Sequence, residues 1–429
     1  MNSRSPDVHL NLRVRGLKPS ATVAINERSH ALIAEGRDIY KLGLGQSPFP
    51  VPESVVQALA DNAHQKDYLA VTGLLALRQT VAQYHGRVHE VAGDADDVLI
   101  GPGSKELMFL LQLVYYGDIV IPTPAWVSYA PQAQIIGRNV CWVHTGPEDG
   151  WRLTAEMLEQ LCASDPERPR IVVLNCPSNP TGGSATIEGL RELAEAARRH
   201  RLVLLSDEIY GELHHEGQHV SIAKFYPEGT IVSSGLSKWC GAGGWRLGTF
   251  MFPKSLGWLR DAMAAVASET YTSTSAPIQH AAVRAFQGGA DIDAYLRDSR
   301  RILRALGRWS ATQLQQAGTN ILMPVGGFYL FPDLSPLRDR LAARGMKTSA
   351  EVCAQLLEDT GVAILPGNHF GRSERELTVR LAYVDFDGDQ ALSAARLVTN
   401  DEPLSDAFVA EHCPKVVTAI ERMCAWLQV

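Results

Sequence analysis

Five short apolar runs recur along the middle of the chain, and each leads into a polar or glycine-rich segment. The runs are DDVLI, GDIVI, PRIVVL, RLVLL and GTIV, at residues 96–100, 117–121, 169–174, 201–205 and 229–232. They are rich in Val, Ile and Leu and do not alternate with polar residues, which is typical of strands buried on both faces. Helix-like segments separate several of them. The pattern therefore predicts an α/β architecture, with a mostly parallel sheet covered by helices.

Polar and unusual side chains stand shortly after these runs. They are Gly103 to Lys105, Trp126, Asn179, Asp207 with Tyr210, and Lys238. In an open α/β sheet, ligands bind in a crevice outside the carboxyl ends of the strands. We therefore expect the side chains that follow these five strands to line one crevice.

The predicted crevice contains the elements of a phosphate site. The turn Gly103-Ser104-Lys105 opens a helix-like segment, and Ser237 and Arg246 lie in the loop after the fifth run. N–H groups at a helix N-terminus carry partial positive charge, hydroxyls donate hydrogen bonds, and a guanidinium pairs with an anion. The chain has neither G-x-x-x-x-G-K-[ST] nor a full G-x-G-x-x-G, so a monophosphate fits better than a polyphosphate.

The remaining side chains of the crevice suit an aromatic aldehyde with a protonated ring nitrogen. Asp207 follows apolar residues and needs a cationic partner, which a pyridinium nitrogen supplies. Asn179 and Tyr210 offer donors to a phenolate oxygen, and Trp126 offers a flat face for stacking. Lys238, in a largely uncharged pocket near an arginine, is displaced towards its neutral, nucleophilic form, as Schiff-base chemistry requires. Together these groups predict pyridoxal 5′-phosphate as the cofactor.

The sequence resembles the class I/II aminotransferases, members of the fold-type I group of pyridoxal-phosphate enzymes. The resemblance runs from about Leu17 to Gln390. It rests mainly on the motifs NPTGG, SDEIY, SKWCGAGGWRLG and VRLAYV, at residues 179–183, 206–210, 237–248 and 379–384. It implies a seven-stranded sheet in the large domain.

The chain pattern changes near residue 290, where a long amphipathic segment is followed by short strand-like pieces and further helices. We therefore predict a large cofactor-binding domain at residues 48–295. The smaller α/β domain is predicted to combine residues 1–47 with residues 296–429, whose tail breaks at 400–403 and resumes as a helix.

The resemblance also implies a mechanism and a set of roles. Lys238 would form the Schiff base and carry the proton transfer, in a ping-pong exchange of an amino group between an L-amino acid and a 2-oxo acid. Arg380 would hold the α-carboxylate by a two-pronged hydrogen bond, with Gly45 beside it. Tyr68, in KDYLAVTGLLALR, would reach the phosphate of a neighbouring subunit, so we expect a homodimer with shared active sites.

The choice of substrate is less constrained. GLKPSATVAIN and GPGSKE are similar to an aspartate aminotransferase subgroup that includes prephenate aminotransferases. In that subgroup a serine and a lysine, here Ser20 and Lys105, help bind the distal carboxylate, so acidic amino acids are the first expectation. Gly235 stands where many relatives have a phosphate-binding serine, and ASETYTSTSAP lacks a clear counterpart of an arginine donated by the partner subunit. Aromatic and other amino acids therefore stay open.

Other functions on the same cofactor also stay open. A lyase, or an oxygen-using oxidase or hydroxylase of amino acids, would use the same cofactor-binding motifs. A cofactor-binding regulator is disfavoured because no helix-turn-helix pattern is visible. A net charge of −7 argues against non-specific nucleic-acid binding, and no apolar run reaches the length of a membrane span.

The cysteines and histidines complete the expectations. Seven cysteines are scattered without a C-x-x-C pair, and the first 16 residues lack the apolar core of a secretory signal, so we expect a cytoplasmic protein. The segment HHEGQH, at residues 214–219, is interpreted as a polar hairpin tip, and no metal site is predicted.

Overall fold

The computed structural model describes residues 9–399 and 402–429. The start of the N-terminal segment and part of the predicted break at 400–403 lie outside the described residues. The strands are β1 (Tyr40–Lys41), β2 (Val98–Gly101), β3 (Asp118–Thr123), β4 (Val140–His144), β5 (Arg170–Asn175), β6 (Val203–Asp207), β7 (Thr230–Gly235), β8 (Gly248–Met251), β9 (Tyr329–Leu330), β10 (Val362–Ala363), β11 (Leu365–Pro366) and β12 (Val379–Ala382).

Helices lie between most of the strands. They are α1 (Ala21–Ala34), α2 (Glu53–Asn62), α3 (Leu75–His89), α4 (Ser104–Val114), α5 (Tyr129–Ile135), α6 (Ala155–Ala163), α7 (Ile187–Arg199), α8 (Gly257–Glu269), α9 (Ala276–Gln287), α10 (Ala290–Gln316), α11 (Arg338–Ala343), α12 (Ser349–Thr360), α13 (Gly388–Ala395), α14 (Asp406–His412) and α15 (Pro414–Gln428). In the described parts of the chain, none of them has the length and apolar character needed to cross a bilayer.

A seven-stranded sheet forms the centre of the fold, in the order β2-β8-β7-β6-β5-β3-β4. Strand β8 is antiparallel to both of its neighbours, and all other neighbours in this sheet are parallel. The five apolar runs correspond to β2, β3, β5, β6 and β7. The predicted α/β architecture with a mostly parallel sheet is confirmed, and the carboxyl ends of these five strands lie at one edge.

The central strands are apolar on both faces because helices cover both sides of the sheet. On β5, Val172 packs into a core with α6 and α7, whereas its neighbours Ile171 and Val173 pack into a core with α4 and α8. Successive side chains of a strand point to opposite faces, so both faces need apolar residues. This burial explains why the runs do not alternate with polar residues.

Two small sheets lie outside the central one. One pairs β1 with β10, and the other has the order β11-β12-β9. The pairing of β1 with β10 joins the N-terminal segment to the C-terminal part of the chain. It favours the predicted small domain, although the domain boundaries themselves stay a prediction. The predicted long amphipathic helix is present as α10, which has 27 residues.

Candidate active site

Three neighbouring strands end side by side at the edge where the site was expected. Asn175 on β5 is in register with Asp207 on β6, which is in register with Ser233 on β7. The side-chain amide of Asn175 donates to the backbone oxygen of Asp207 at 2.9 Å. The ends of these strands therefore hold one another, and the segments that follow them carry Asn179 and Lys238.

Lys238 is half-buried, and its Nζ donates to the backbone oxygen of Gly45 at 2.7 Å. The same Nζ lies 5.8 Å from the ring centre of Tyr210. Burial, together with the positive charges of Arg380 and Arg246, lowers the pKa of Lys238 to about 8. The neutral, nucleophilic form of the amine is therefore more accessible near neutral pH than in an ordinary lysine. This is the displacement of protonation that the sequence predicted.

Asp207 is buried at the end of β6, and the sequence did not predict its main side-chain partner. Tyr129, at the start of α5, donates from its hydroxyl to Asp207 Oδ2 at 2.6 Å. Burial raises the pKa of Asp207 to about 6, although the hydrogen bonds from Tyr129 and from the Ile209 N–H act in the opposite direction. A buried carboxylate that is ionised at neutral pH attracts a cationic group. The only sequence signal for Tyr129 is its place three residues after Trp126.

A pair of tyrosines connects the large sheet to the N-terminal glycine segment. The hydroxyls of Tyr210 and Tyr329 lie 2.8 Å apart, and both side chains are buried. A Cβ atom at Gly45 would lie 1.9 Å from the Tyr329 hydroxyl, so only glycine allows this approach. The structure thus brings Gly45 and Tyr210 together through a residue that no sequence motif had singled out.

Asn179 is 4% exposed, and its side-chain Oδ1 has no hydrogen-bond partner among the described residues. Its backbone N–H donates to Asn175 Oδ1 at 2.7 Å, which fixes the turn after β5. Buried polar atoms are nearly always paired in native proteins. An unpaired Oδ1 at the strand ends therefore indicates a polar ligand.

The N-terminus of α4 and Arg246 form a compact anion site. Gly103 precedes the first helical residue, Ser104, with a φ of 93°. A Cβ atom at Gly103 would lie 2.2 Å from Arg246 Nη2, so this glycine is what allows the guanidinium to approach. Arg246 itself has a φ of 55°, a left-handed conformation that is strained for a residue with a Cβ. Ser237 is half-buried in the loop that leads to Arg246.

Arg380, on β12, is only 1% exposed and makes no ion pair with any described carboxylate. Its Nη2 donates to the backbone oxygen of Gly43, and its Nε has no hydrogen-bond partner. The guanidinium lies 4.9 Å from the Tyr329 ring centre and 5.2 Å from that of Phe370. A buried charge without a counter-ion is costly, so this site favours an anionic ligand.

A cleft of about 1240 Å³, the distal cleft, is lined by Ser20, Lys105 and Trp126. Lys105 is exposed, and its Nζ lies 5.1 Å from the Trp126 ring centre. Burial of part of its side chain and the charge of Arg246 lower the pKa of Lys105. Ser20 precedes α1 and its hydroxyl lies 3.0 Å from that of Thr22. The structure therefore brings both predicted distal-carboxylate residues to one cleft.

Tyr68 does not join this cluster within one chain. It lies in the loop between α2 and α3, and 89% of its surface is exposed. Its predicted role needs a second subunit and stays a prediction.

The interpretation of HHEGQH as a polar hairpin tip is wrong for two of its three histidines. His215 is buried and lies 3.1 Å from the backbone oxygen of Gly327, and the His219 side chain is 4% exposed. His219 Nε2 lies 3.0 Å from Glu208 Oε2. The segment folds inward because Glu208, directly after Asp207, needs a buried partner. His89, Glu208 and His219 place atoms of the kind that bind metals within 4.8 Å of one another. The absence of a metal stays a prediction.

Lys238 follows a strand at the carboxyl edge of this sheet, and a buried acid and two arginines act on it. This arrangement is typical of α/β enzymes that act on amines and carbonyl groups. Comparison with known proteins agrees. Residues 37–388 match the family described as aminotransferase class I and II.

Two curated relatives cover most of the chain. The aspartate aminotransferase of Geobacillus stearothermophilus is 34% identical over 86% of this chain and 93% of its own. The aspartate/prephenate aminotransferase of Thermus thermophilus is 32% identical over 87% and 94%. A solved structure of aspartate aminotransferase from Thermus thermophilus with maleate superimposes with a TM-score of 0.83 at 28% identity, and the match covers 98% of this chain and 100% of that one.

The chain therefore belongs to the class I and II aminotransferases, and the protein is a transaminase. The resemblance to the aspartate/prephenate subgroup, the fold and the enzyme class predicted from the sequence are confirmed.

Proposed function

We propose that the protein transfers the amino group of an acidic L-amino acid to a 2-oxo acid, with pyridoxal 5′-phosphate as cofactor. The observation that carries this proposal is the half-buried Lys238, whose Nζ donates to the Gly45 backbone oxygen and whose pKa is lowered by burial and by the charge of Arg380. An amine of this kind suits both nucleophilic attack and proton transfer near neutral pH.

The described residues fit the cofactor. The N-terminus of α4 and Arg246 would hold its phosphate, and Asp207 would pair with its ring nitrogen. The Asn179 side-chain NH2 and the Tyr210 hydroxyl would donate hydrogen bonds to the ring oxygen. Trp126 would supply a stacking face. When bound, the cofactor supplies an electron sink for the carbanion formed at the amino acid α-carbon.

The chain's own residues then position the substrate and move the proton. Arg380 would bind the α-carboxylate by a bidentate pair, which supplies the anion that its burial requires. Lys238 Nζ would remove the α-proton as general base and would then act as general acid in the second proton transfer. Because one carboxylate site serves both substrates, the first 2-oxo acid must leave before the second binds, which gives ping-pong kinetics.

Acidic substrates are favoured by the charge of the distal cleft. Lys105 and Ser20 line it, and a second carboxylate there would bind a cation and a hydroxyl. Two relatives that cover most of the chain are named aspartate and aspartate/prephenate aminotransferase, and the solved structure is of such a protein with maleate, a dicarboxylate. Tyr68, exposed in one chain, would complete the phosphate site of a second subunit in a homodimer.

A donor panel tests the reaction and the substrate class together. The holoenzyme is incubated with 2-oxoglutarate and, in turn, L-aspartate, L-phenylalanine and L-alanine, and glutamate, ammonia and peroxide are measured. We expect glutamate to form fastest with L-aspartate. Ammonia or peroxide without glutamate would contradict transamination, and a preference for L-phenylalanine would contradict only the substrate class.

Arg380→Lys should lower kcat/KM for the preferred donor by about 10²-fold, the loss typical of a disrupted buried charge pair. Lysine keeps the charge but cannot copy the planar two-pronged bond. The exposed Arg340, which donates to the backbone oxygen of Leu427 at 2.8 Å, offers a matched control as Arg340→Lys. Equal kcat/KM values for the two variants would rule out a carboxylate-binding role for Arg380.

Tyr129→Phe should weaken the binding of pyridoxal 5′-phosphate by about tenfold, because hydrogen bonds to charged groups contribute about 1.5–3 kcal/mol. The Tyr129 hydroxyl lowers the pKa of Asp207, so its loss raises that pKa further and leaves less carboxylate to pair with the ring nitrogen. Fluorescence titration of the apoenzyme measures the dissociation constant. Tyr226→Phe, which removes a buried 2.9 Å hydrogen bond to Leu202 away from the site, is the control. Equal weakening in both variants would speak against a specific role.

A further inference from the structure

Cys176 lies directly after β5, in a cluster of polar groups that the proposed mechanism does not use. Its Sγ lies 2.9 Å from the Ser184 hydroxyl and 3.5 Å from the Ala185 N–H, which donates to it. Both partners come from the segment just before α7, and in the pair with Ser184 either the hydroxyl or the thiol can donate. Their arrangement suits a sulfur that carries negative charge.

The third neighbour of this sulfur is the His219 imidazole. His219 Nε2 is committed to Glu208, and Glu208 accepts further hydrogen bonds from Ser206 at 2.7 Å and Ser221 at 2.5 Å. Although burial by itself lowers the pKa of His219, the negative charge of Glu208 raises it to about 10. The ring is therefore an imidazolium at neutral pH. Its other nitrogen, Nδ1, is buried and has no hydrogen-bond partner among the described residues.

The pKa of the Cys176 thiol is shifted in the opposite direction from that of the other cysteines. Burial raises the pKa of its thiol, but the positive charge of His219, with the Ser184 and Ala185 contacts, brings it below the ordinary value. Burial raises the pKa of each of the six others, which are Cys141, Cys162, Cys240, Cys353, Cys413 and Cys424. Cysteine reactivity follows the thiolate fraction and the access to it.

A cavity adjoins this sulfur. Cys176 is half-buried and lines a cavity of about 90 Å³, together with Asn179 and His219. A cavity of about 10–15 Å³ already admits one water molecule, so this one has room for a hydroperoxide.

We infer that Cys176, activated by the His219–Glu208 pair, is an oxidation site that reacts with hydrogen peroxide. The thiolate sulfur attacks one peroxide oxygen, the S–O bond forms as the O–O bond breaks, and hydroxide leaves and takes up a proton to give water. Sulfur is oxidised by two electrons to a sulfenic acid, and the peroxide is reduced. A thiol reductant reverses the change.

Oxidation at this position would reach the active site through the backbone. The Cys176 N–H donates to the backbone oxygen of Asp207 at 3.2 Å, and the turn from Cys176 leads to Asn179 within three residues. An added oxygen on Sγ must displace the Ser184 or Ala185 contact, which strains this turn. We therefore expect oxidation to lower the activity reversibly.

Site-resolved alkylation of the holoenzyme tests the inference without relying on its activity. Brief iodoacetamide treatment at pH 7, followed by peptide mass spectrometry, gives a rate for each of the seven cysteines. We expect Cys176 to react about tenfold faster than every other cysteine. His219→Gln should remove this advantage and leave the rate at the half-buried Cys141 unchanged. Equal or slower labelling of Cys176 in the wild type overturns the inference, even if the variant does not fold.

Peroxide treatment tests the oxidation itself. Wild-type holoenzyme should form a dimedone adduct at Cys176 and lose activity, and dithiothreitol should restore the activity if it is added instead of dimedone. Cys176→Ser should keep its basal activity and resist peroxide, whereas Cys141→Ser should behave like the wild type. A wild type without the adduct, or a Cys176→Ser variant that loses as much activity as the wild type, overturns the proposed site.

Discussion

Lys238→Ala is expected to lower kcat for transamination by at least about 10⁴-fold, the upper range for loss of a positioned acid–base group. Lys105, whose charge also acts on Lys238, has its Nζ over the Trp126 ring at the distal cleft. Initial rates with L-aspartate and 2-oxoglutarate measure the effect. Borohydride reduction of the wild-type holoenzyme should leave the cofactor attached to the peptide that contains Lys238.

The matched control is Lys254→Ala. Lys254 is 80% exposed and forms a 3.4 Å surface pair with Asp94, so its loss should change kcat by less than twofold because such pairs contribute little. Cofactor attachment to a lysine other than Lys238, or a Lys238→Ala variant that keeps more than a few per cent of the activity, would refute the assignment. A correctly folded variant is recognised by its unchanged circular dichroism.

Asp207→Asn is expected to lower kcat by about 10²–10³-fold, the loss typical of removing one preorganised electrostatic group. The amide is nearly isosteric with the acid, but it is neutral and cannot hold a proton on the ring nitrogen of the cofactor. It also changes the partner of the Tyr129 hydroxyl, which donates to Asp207 in the wild type at 2.6 Å. Turnover and cofactor affinity should therefore both decrease.

Asp298→Asn separates this effect from a loss of folding. Asp298 is also a buried carboxylate, but it lies on α10 at 3.5 Å from Arg297 and Arg301, away from the strand ends. We expect that variant to lose stability and to keep its kcat per folded molecule. If Asp207→Asn behaves in the same way, with a lower midpoint of thermal unfolding and a normal kcat, Asp207 is structural and the proposed cofactor geometry is wrong.

The sequence predicted the strands whose burial is visible as a run of apolar residues. Five apolar runs identified five strands, and the residues after them lie at one edge of the sheet. It did not identify β4, because β4 is an edge strand with half-exposed side chains. Nor did it identify β8, which has four residues and returns antiparallel between β2 and β7 without a following helix. Strand β8, GTFM, is buried without a run of Val, Ile or Leu, whereas β4 contains the apolar run VCWV, whose exposure at the sheet edge only the fold shows.

The partners of the site residues were not predictable in the same way. Tyr129 and Tyr329 reach Asp207 and Tyr210 from positions 78 and 119 residues away in the chain. Nothing in the local pattern of PAWVSY or GGFYLF distinguishes a tyrosine that binds an acid from one that fills a core. HHEGQH was misinterpreted for the same reason, since its polarity is satisfied by a buried acid rather than by water.

By itself, the sequence determined the class of architecture, the enzyme family, and the acid and lysine that follow two neighbouring strands at one edge of the sheet, because buried strands and their polar ends leave a local pattern. Only the tertiary structure decided how those groups are tuned. Three features depend on segments far apart in the chain: the half-burial of Lys238, the Arg380 guanidinium without an ion pair among the described residues, and the Cys176–His219–Glu208 cluster. Burial and charge at close range set a pKa, and the chain acquires both only when it is packed.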